Sequence, residues 1–138
     1  YTTPGRLLHF GLFYRKHKDE WYKGRTDLLG DSCHATLPYV GQGANQAIED
    51  AIVLAECLTS EQDYHVAFES YYQKRNKRIR RIVNMATIMN KLHHTQNPIL
   101  IKGRDFLFSR ILKGKTMLKM LEKEIVEECP VKDYDKYR

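Results

Sequence analysis

The stretch from Leu28 to Ala51 contains residues that could bind a polar cofactor. Asp31 follows a short predicted strand, and a carboxylate there can accept hydrogen bonds from the hydroxyl groups of a sugar or polyol. Gly41 and Gly43 allow the backbone to approach a ligand closely, because no Cβ stands in the way. A helix should begin at these glycines, and its N–H groups and positive dipole end stabilise negative charge on a ligand. Together these features describe a cradle for a polar, electron-accepting cofactor.

The elements that must position these residues follow from the hydrophobic pattern. A short strand is predicted over about residues 26–29, a turn-rich segment over 32–43 and a helix from near Gly41 to Leu58. This helix carries small residues at spacings of three and four, which makes a smooth face suited to packing against a sheet or another helix. These small residues are Ala44, Ala47, Ala51 and Ala55.

Two further regions flank this unit. Apolar residues alternate over 6–14, which predicts a strand, and residues 15–25 read as a charged loop anchored by Trp21 and Tyr22. Downstream, a long helix is predicted from about Tyr64 to the mid-90s. Its apolar stripe is formed by Ile79, Ile82, Val83, Ala86 and Met89. Asn97-Pro98 should end that helix, because the residue before proline avoids the α region. One or two amphipathic helices should follow over 99–128, with a break near Gly114.

The unit around Asp31 resembles the second flavin-binding motif of the single-component FAD-dependent aromatic hydroxylases. This family includes salicylate and para-hydroxybenzoate hydroxylases, and its motif reads roughly G-D-A-A-H-x-x-P-P-x-x-G-Q-G-x-N-x-A-x-E-D-A. The matching residues here are Gly30, Asp31, His34, Pro38, Gly41, Gln42, Gly43, Asn45, Ala47, Glu49, Asp50 and Ala51. The resemblance covers about residues 28–58. A looser match follows over 68–82, where the family has a tyrosine, then an arginine and further basic residues.

The resemblance implies a role for specific residues. Asp31 would bind the ribityl hydroxyls of FAD, and Pro38 would lie against the edge of the isoalloxazine ring. The helix N-terminus would favour the reduced, anionic flavin. The complete set of implied cofactor contacts is Gly30, Asp31, Pro38, Gly41, Gly43, Ala44 and Asn45. No catalytic side chain and no metal ligand is implied. His34 is expected to be a structural hydrogen-bonding residue beside the flavin.

The resemblance also implies an activity. In the family, NAD(P)H reduces FAD, dioxygen adds at the flavin C4a atom, and the hydroperoxide delivers one oxygen atom to an organic substrate, here expected to be aromatic. The cofactor supplies the chemistry and the protein positions it. The sequence departs from the family pattern at Ser32, Cys33, Leu37 and Lys77. These changes leave the FAD prediction intact and affect the detail of the loop at the flavin edge.

For the complete enzyme the resemblance implies an α/β fold with a Rossmann-like FAD/NAD(P)-binding unit. The G-x-G-x-x-G segment that binds the ADP half of FAD does not occur in these 138 residues. We therefore expect the chain to be the C-terminal portion of such an enzyme, inactive alone and mostly α-helical with two or three short strands. The predicted regions are 1–25, the end of a substrate-domain sheet; 26–58, the second FAD-binding motif; and 59–138, a helical region.

Composition limits the remaining function classes. The net charge of +6 is compatible with nucleic acid, an anionic membrane or an anionic cofactor as a partner. No aromatic platform accompanies the basic run over 74–81, which is therefore interpreted as a solvated helix face rather than a nucleic-acid site. No apolar run approaches the roughly 20 residues of a membrane-spanning helix. Three widely spaced cysteines and no signal-like segment suggest a reducing, intracellular and cytoplasmic setting.

Two alternative functions stay open. A non-catalytic helical remnant could bind a partner or a membrane surface through the basic amphipathic segment 99–121. An enzyme of the same family could act as an epoxidase on a lipid or isoprenoid. A small-molecule substrate is the expected partner in either enzymatic case. The sequence does not distinguish NADH from NADPH, and it leaves the oligomeric state unknown.

Overall fold

A computed structural model of the chain describes residues 11–111 and Lys119. Within residues 11–111 a two-stranded hairpin precedes a set of helices, so the expectation of a mostly helical chain with few short strands is confirmed there. The strands are β1 (Tyr22–Lys23) and β2 (Thr26–Asp27). The helices are α1 (Asp31–His34), a 3₁₀ turn (Pro38–Val40), α2 (Gly43–Ser60), α3 (Tyr64–His93) and α4 (Pro98–Phe106), which continues into a π-helical turn (Leu107–Ile111).

The hairpin is antiparallel, with Tyr22 opposite Asp27. Gly24 adopts a positive φ of 56° at its turn, which glycine tolerates because it lacks a Cβ. The strand predicted over 26–29 is thus shorter, and part of the predicted loop over 15–25 is β1. The strand predicted over 6–14 is wrong for residues 11–14, which form no strand. Residues 6–10 lie outside the described part of the chain.

The core forms where α2 packs against α3 and Trp21 closes one end. Trp21 is 1% exposed, and its ring meets Tyr72 edge-on at a centroid distance of 5.4 Å. Its Nε1–H donates to the carbonyl of Lys18 over 3.0 Å, so the indole is buried with its polar group satisfied. The expectation of an aromatic anchor in this segment is confirmed at Trp21. The core cluster consists of Trp21, Cys33, Val53, Cys57, Ala67, Tyr71, Ile79 and Val83.

α3 follows its predicted course closely. Asp63 caps it by accepting a hydrogen bond from the backbone N–H of His65 over 2.8 Å. Four residues of the predicted apolar stripe are buried, and Met89 is half-buried. The helix ends at His93, before the proline. Asn97 instead caps α4, and Pro98 occupies its first turn, where a missing N–H costs nothing.

The smooth face predicted on α2 is largely exposed within the described residues, and only Ala47 packs closely, against Gly30. Ala44, Ala51 and Ala55 are exposed there, and Ala47 is only half-buried. The opposite face of α2 is buried instead, and it is largely polar: Gln46, Glu49, Asp50, Val53 and Cys57. The helix is oriented this way because its carboxylates meet arginines of α3, as described below.

Across residues 11–111, no helix is both long enough and apolar enough to span a bilayer. In α4, Ile99 and Phe106 are exposed. Much of the segment 99–121 lies outside the described residues, including the break predicted near Gly114. Membrane association through this segment therefore stays a prediction, as do the three region boundaries.

Candidate functional site

The turn into α1 depends on a conformation that only glycine adopts readily. Gly30 has φ 59° and ψ −136°. A Cβ at this position would lie 2.9 Å from the Cβ of Ala47, which is closer than two such atoms can approach. Gly30 is buried, and its N–H donates to Oδ2 of Asp50 over 3.1 Å. The glycine therefore brings the start of α1 directly against α2.

A cavity of about 360 Å³ lies beside this contact, and its volume is sufficient for part of an organic cofactor. Its lining combines an acidic side chain with backbone that is free of bulky groups. The lining residues are Asp31, Thr36, Leu37, Pro38, Gly41, Gly43, Ala44 and Ala47. Five of the seven predicted cofactor contacts are thus brought together around one space. They are Asp31, Pro38, Gly41, Gly43 and Ala44.

The other two predicted contacts lie elsewhere. Gly30 is buried beneath the cavity against Ala47, so its place in the structure is a packing position. Asn45 is exposed on the first turn of α2 and is absent from the cavity lining. Thr36 and Leu37 line the cavity and were not among the predicted cofactor contacts. Their position between His34 and Pro38 in the motif was the available signal.

The N-terminus of α2 faces the same cavity. Gln42 precedes the helix without a side-chain capping bond, and the first intrahelical bond runs from the N–H of Gln46 to the carbonyl of Gln42. The N–H groups of residues 43–45 precede that bond and therefore have no intrahelical acceptor. An 18-residue helix also places its positive dipole end here. The arrangement favours an electronegative group in the cavity.

A network of buried charges lies behind the cavity, between α2 and α3. The guanidinium of Arg75 donates to Oδ1 of Asp50 over 2.7 Å, to Oε2 of Glu49 over 2.6 Å and to Oε1 of Gln46 over 2.7 Å. Arg78 donates from Nε to the same Oε2 of Glu49 over 3.1 Å. Arg75 and Asp50 are 0% exposed. Glu49 and Asp50 of α2 therefore both pair with arginines of α3.

The basic run over 74–81 is therefore not one solvated face. Lys74, Lys77 and Arg80 are exposed, but Arg75 and Arg78 are buried, so the earlier interpretation is wrong for these two residues. A signal was present in the spacing. Arg75 follows Tyr71 by four residues and precedes Ile79 by four, which places it on the buried stripe of α3. The carboxylates of α2 that pair with Arg75 and Arg78 could not be identified from helical spacing.

His34 connects this network to α1. It is 1% exposed, and its Nε2 forms a hydrogen bond with Oδ2 of Asp50. Burial alone raises the pKa of Asp50, but the hydrogen bond from His34 and the charge of Arg75 outweigh burial and hold that pKa below its usual value. Asp50 is therefore ionised, so the proton of this hydrogen bond belongs to His34. The structural role expected for His34 agrees with this geometry.

Cys33, His34 and Asp50 place potential metal-ligating atoms within 4.8 Å of one another. The group is better explained as a hydrogen-bond cluster. Both carboxylate oxygens of Asp50 already accept hydrogen bonds, and burial raises the pKa of the Cys33 thiol to about 12. The Cys33 thiol donates instead to the carbonyl of Gly30 over 3.3 Å.

Comparison with known families identifies this arrangement. The model of the FAD binding domain matches residues 13–86, which is more than half of the chain and includes the cavity, α2 and most of α3. The chain belongs to the FAD binding domain family. The resemblance drawn from the motif around Asp31 is thereby confirmed at the level of the family.

Curated relatives of this chain include monooxygenases. It is 33% identical over 119 residues to the FAD-dependent monooxygenase ntnJ of a Nectria species, which covers 84% of this chain and 27% of the relative. It is 41% identical over 98 residues to the 3-hydroxybenzoate 6-hydroxylase of Polaromonas naphthalenivorans, covering 70% and 23% respectively. The chain thus spans about a quarter of the length of these curated relatives.

A solved structure shares the fold. Klebsiella pneumoniae HpxO, crystallised in complex with FAD and uric acid, superposes with a TM-score of 0.74 at 27% sequence identity. The superposition covers 85% of this chain and 30% of HpxO. The arrangement of hairpin, short helices and long helices described here is therefore also found in a protein that binds FAD.

Proposed function

We propose that the cavity beside α1 and the N-terminus of α2 holds the flavin portion of FAD, in a flavin-dependent monooxygenase. The observation that carries this proposal is the composition of one cavity wall: the carboxylate of Asp31, the ring of Pro38 and the glycine-rich start of α2 all line the same space. Asp31 matches the hydroxylated side chain of a flavin, Pro38 matches its flat aromatic ring, and the start of α2 matches its electron-accepting end.

The residues of the chain fit that ligand chemically. Asp31 is exposed to the cavity, so its oxygens are available to accept hydrogen bonds from ribityl hydroxyls. Gly41 has φ 65° and no heavy atom within 4 Å of a Cβ built on it, which leaves room for a ring to approach the backbone. The N–H groups at the start of α2 stabilise charge on the electron-accepting end of the ring. Gly30 supports this site by bringing α1 against Ala47, and Asn45, exposed on the first turn of α2, stays a proposed cofactor contact.

When bound, reduced FAD supplies the activation of dioxygen, and NAD(P)H supplies the electrons. The protein residues bind and orient the ring, exclude water from one side and favour its anionic reduced form. We propose a small aromatic compound as the substrate, because the relatives named for a reaction include a 3-hydroxybenzoate 6-hydroxylase and a 6-hydroxynicotinate 3-monooxygenase. The chain spans a minor share of these relatives, so substrate contacts from other segments complete the site.

The proposal is tested with the purified full-length protein in two steps, because the present 138 residues are expected to be inactive alone. Its absorbance spectrum and a titration with FAD establish whether flavin binds, and we expect flavin bands and saturable binding. Oxidation of NADH and of NADPH is then followed with oxygen uptake in the presence of hydroxybenzoates and related aromatic acids. We expect substrate-stimulated oxidation and a product heavier by one oxygen atom. Absence of FAD binding would contradict the cofactor assignment, and FAD binding without any oxygen uptake would contradict the monooxygenase assignment.

A further inference from the structure

α1 is too short to hold its own position. It contains four residues, Asp31–His34. The N–H groups of Cys33 and His34 donate to the carbonyl of Gly30, and the carbonyl of Ser32 accepts from Nη1 of Arg15 over 3.0 Å. A single helical turn of this kind is unstable alone, because it fixes several backbone dihedrals for very few hydrogen bonds. The orientation of Asp31, its first residue, must therefore be set by contacts from elsewhere.

One carboxylate oxygen supplies contacts at both ends of α1. Oδ2 of Asp50 accepts the N–H of Gly30, immediately before the helix, and the Nε2–H of His34, its last residue. All three groups are buried. The other oxygen, Oδ1, accepts the Nε–H of Arg75 from α3. Asp50 thus connects the central helix pair directly to the turn that carries Asp31.

Carboxylates and arginines meet in this network. Glu49 and Asp50 of α2 pair with Arg75, and Glu49 also pairs with Arg78. His34 adds a buried hydrogen bond to Asp50, and loss of its donor would leave a buried carboxylate oxygen with one partner fewer. This hydrogen bond holds the end of α1.

We propose that His34 and Asp50 are positioning residues for the flavin site: together they fix both ends of α1 and thereby aim the carboxylate of Asp31 into the cavity. This inference rests on the proposed function, because it assumes that Asp31 contacts the cofactor. Neither His34 nor Asp50 lines the cavity, so both act through α1.

The test uses two substitutions of His34 with different hydrogen-bonding ability. His34→Gln keeps an amide N–H that can reach Asp50, whereas His34→Phe keeps volume and removes the donor. We expect the FAD Kd of His34→Phe to rise by about tenfold, the loss typical of a hydrogen bond to a charged group. We expect His34→Gln to stay within about threefold of the parent protein. His65→Phe, on the exposed face of α3, is the matched control and should bind FAD like the parent.

The outcomes separate this inference from the proposed function. If the parent protein binds no FAD, the proposed function fails. If the parent and His34→Phe bind FAD equally tightly, the positioning inference is overturned while the proposed function stands. If His34→Gln and His34→Phe weaken FAD binding equally, loss of packing explains the effect, and positioning through the hydrogen bond is again overturned. FAD binding that is retained in His34→Gln and weakened in His34→Phe supports the positioning inference. Melting temperatures are measured on the same samples.

Discussion

Arg75 of α3 donates its Nε–H to Oδ1 of Asp50 of α2 over 2.7 Å, and neither side chain is exposed to solvent. The same guanidinium reaches Glu49 and the side chain of Gln46. One planar group with five donors in a fixed arrangement thus satisfies three side chains of the neighbouring helix. The pairing of α2 with α3 depends on this geometry, and so does the cavity at the start of α2.

Removal of Arg75 should be strongly destabilising. In Arg75→Leu, Asp50 and Glu49 stay buried without their main cationic partner, and breaking a buried ion pair in this way costs about 3–5 kcal/mol. Arg75→Lys should lose part of that amount, because an ammonium cannot reproduce the planar set of donors. Urea unfolding of the purified protein measures both. Lys77→Leu, an exposed neighbour, should change the unfolding free energy by less than about 0.5 kcal/mol. Equal stabilities of the Arg75 and Lys77 variants would contradict the role of the network.

Substitution of Gly30 should be more harmful than the same substitution of Gly41. Gly41 lies in the left-handed helical region, where alanine strains the backbone by about 1–2 kcal/mol, whereas Gly30, with φ 59° and ψ −136°, lies outside that region in a conformation that alanine adopts less readily still. At Gly30 the new methyl group would also meet Ala47 at 2.9 Å, whereas nothing lies within 4 Å at Gly41. Thermal unfolding should therefore show a larger loss of stability for Gly30→Ala than for Gly41→Ala. Matching losses would show that the contact between α1 and α2 is looser than described.

Asp27 should make the protein less stable as the pH rises through weakly acidic values. Burial raises the pKa of Asp27 to about 6, and its Oδ2 has no hydrogen-bond partner within the described residues. The folded state therefore binds a proton that the unfolded state releases, between an unfolded pKa of about 3.9 and the folded value of about 6. Stability from this group is complete below that window and is lost as the pH rises through it.

Asp27→Asn tests this directly. The amide keeps an oxygen for the N–H of Leu28, which donates to Asp27 over 2.8 Å, and it removes the charge. At about pH 7.5 the Asn variant should melt at a higher temperature than the parent, and near pH 4 the two should converge. A constant difference across this range would rule out titration of Asp27 as the cause.

Asp50 should make the protein more stable as the pH rises, over a lower pH range than that of Asp27. Its pKa is lowered in the folded state, because the His34 hydrogen bond and the Arg75 charge outweigh burial. Its contribution is present above the unfolded pKa of about 3.9 and is lost as the pH falls below that value. In His34→Phe one cause of the shift is absent, so the loss of unfolding free energy between about pH 5 and about pH 3 should be smaller than in the parent. Urea unfolding at both pH values measures this loss of unfolding free energy. An identical loss in the two proteins would contradict the link between His34 and the pKa of Asp50.

Much of the site could be predicted from sequence, because its residues lie close together along the chain. The segment from Gly30 to Ala44 forms the cavity wall through local turns, and glycine, proline and a following helix indicate those turns directly. The long helix α3 was also predictable, because Ile79, Ile82 and Val83 repeat with helical spacing over many residues.

The remaining features depend on contacts between distant segments. The basic run around Arg75 looked like a solvated face, because a pattern of charges does not show that carboxylates from another helix lie opposite. The small residues of α2 looked like its packing face, because the sequence pattern does not show which face of the helix meets another element. The buried charge of Asp50 turns the helix the other way, and only its pairing with Arg75 makes that burial favourable.

The account is tested most directly by the FAD affinity of Asp31→Ala. Asp31 is exposed and lines the cavity, so its replacement should change the unfolding free energy by less than about 0.5 kcal/mol. We expect the FAD Kd to rise by about tenfold or more, since hydrogen bonds to a charged carboxylate are lost. Asp105→Ala, at an exposed aspartate on α4, should bind FAD like the parent. An Asp31→Ala protein that holds FAD as tightly as the parent would show that the flavin is not bound in this cavity.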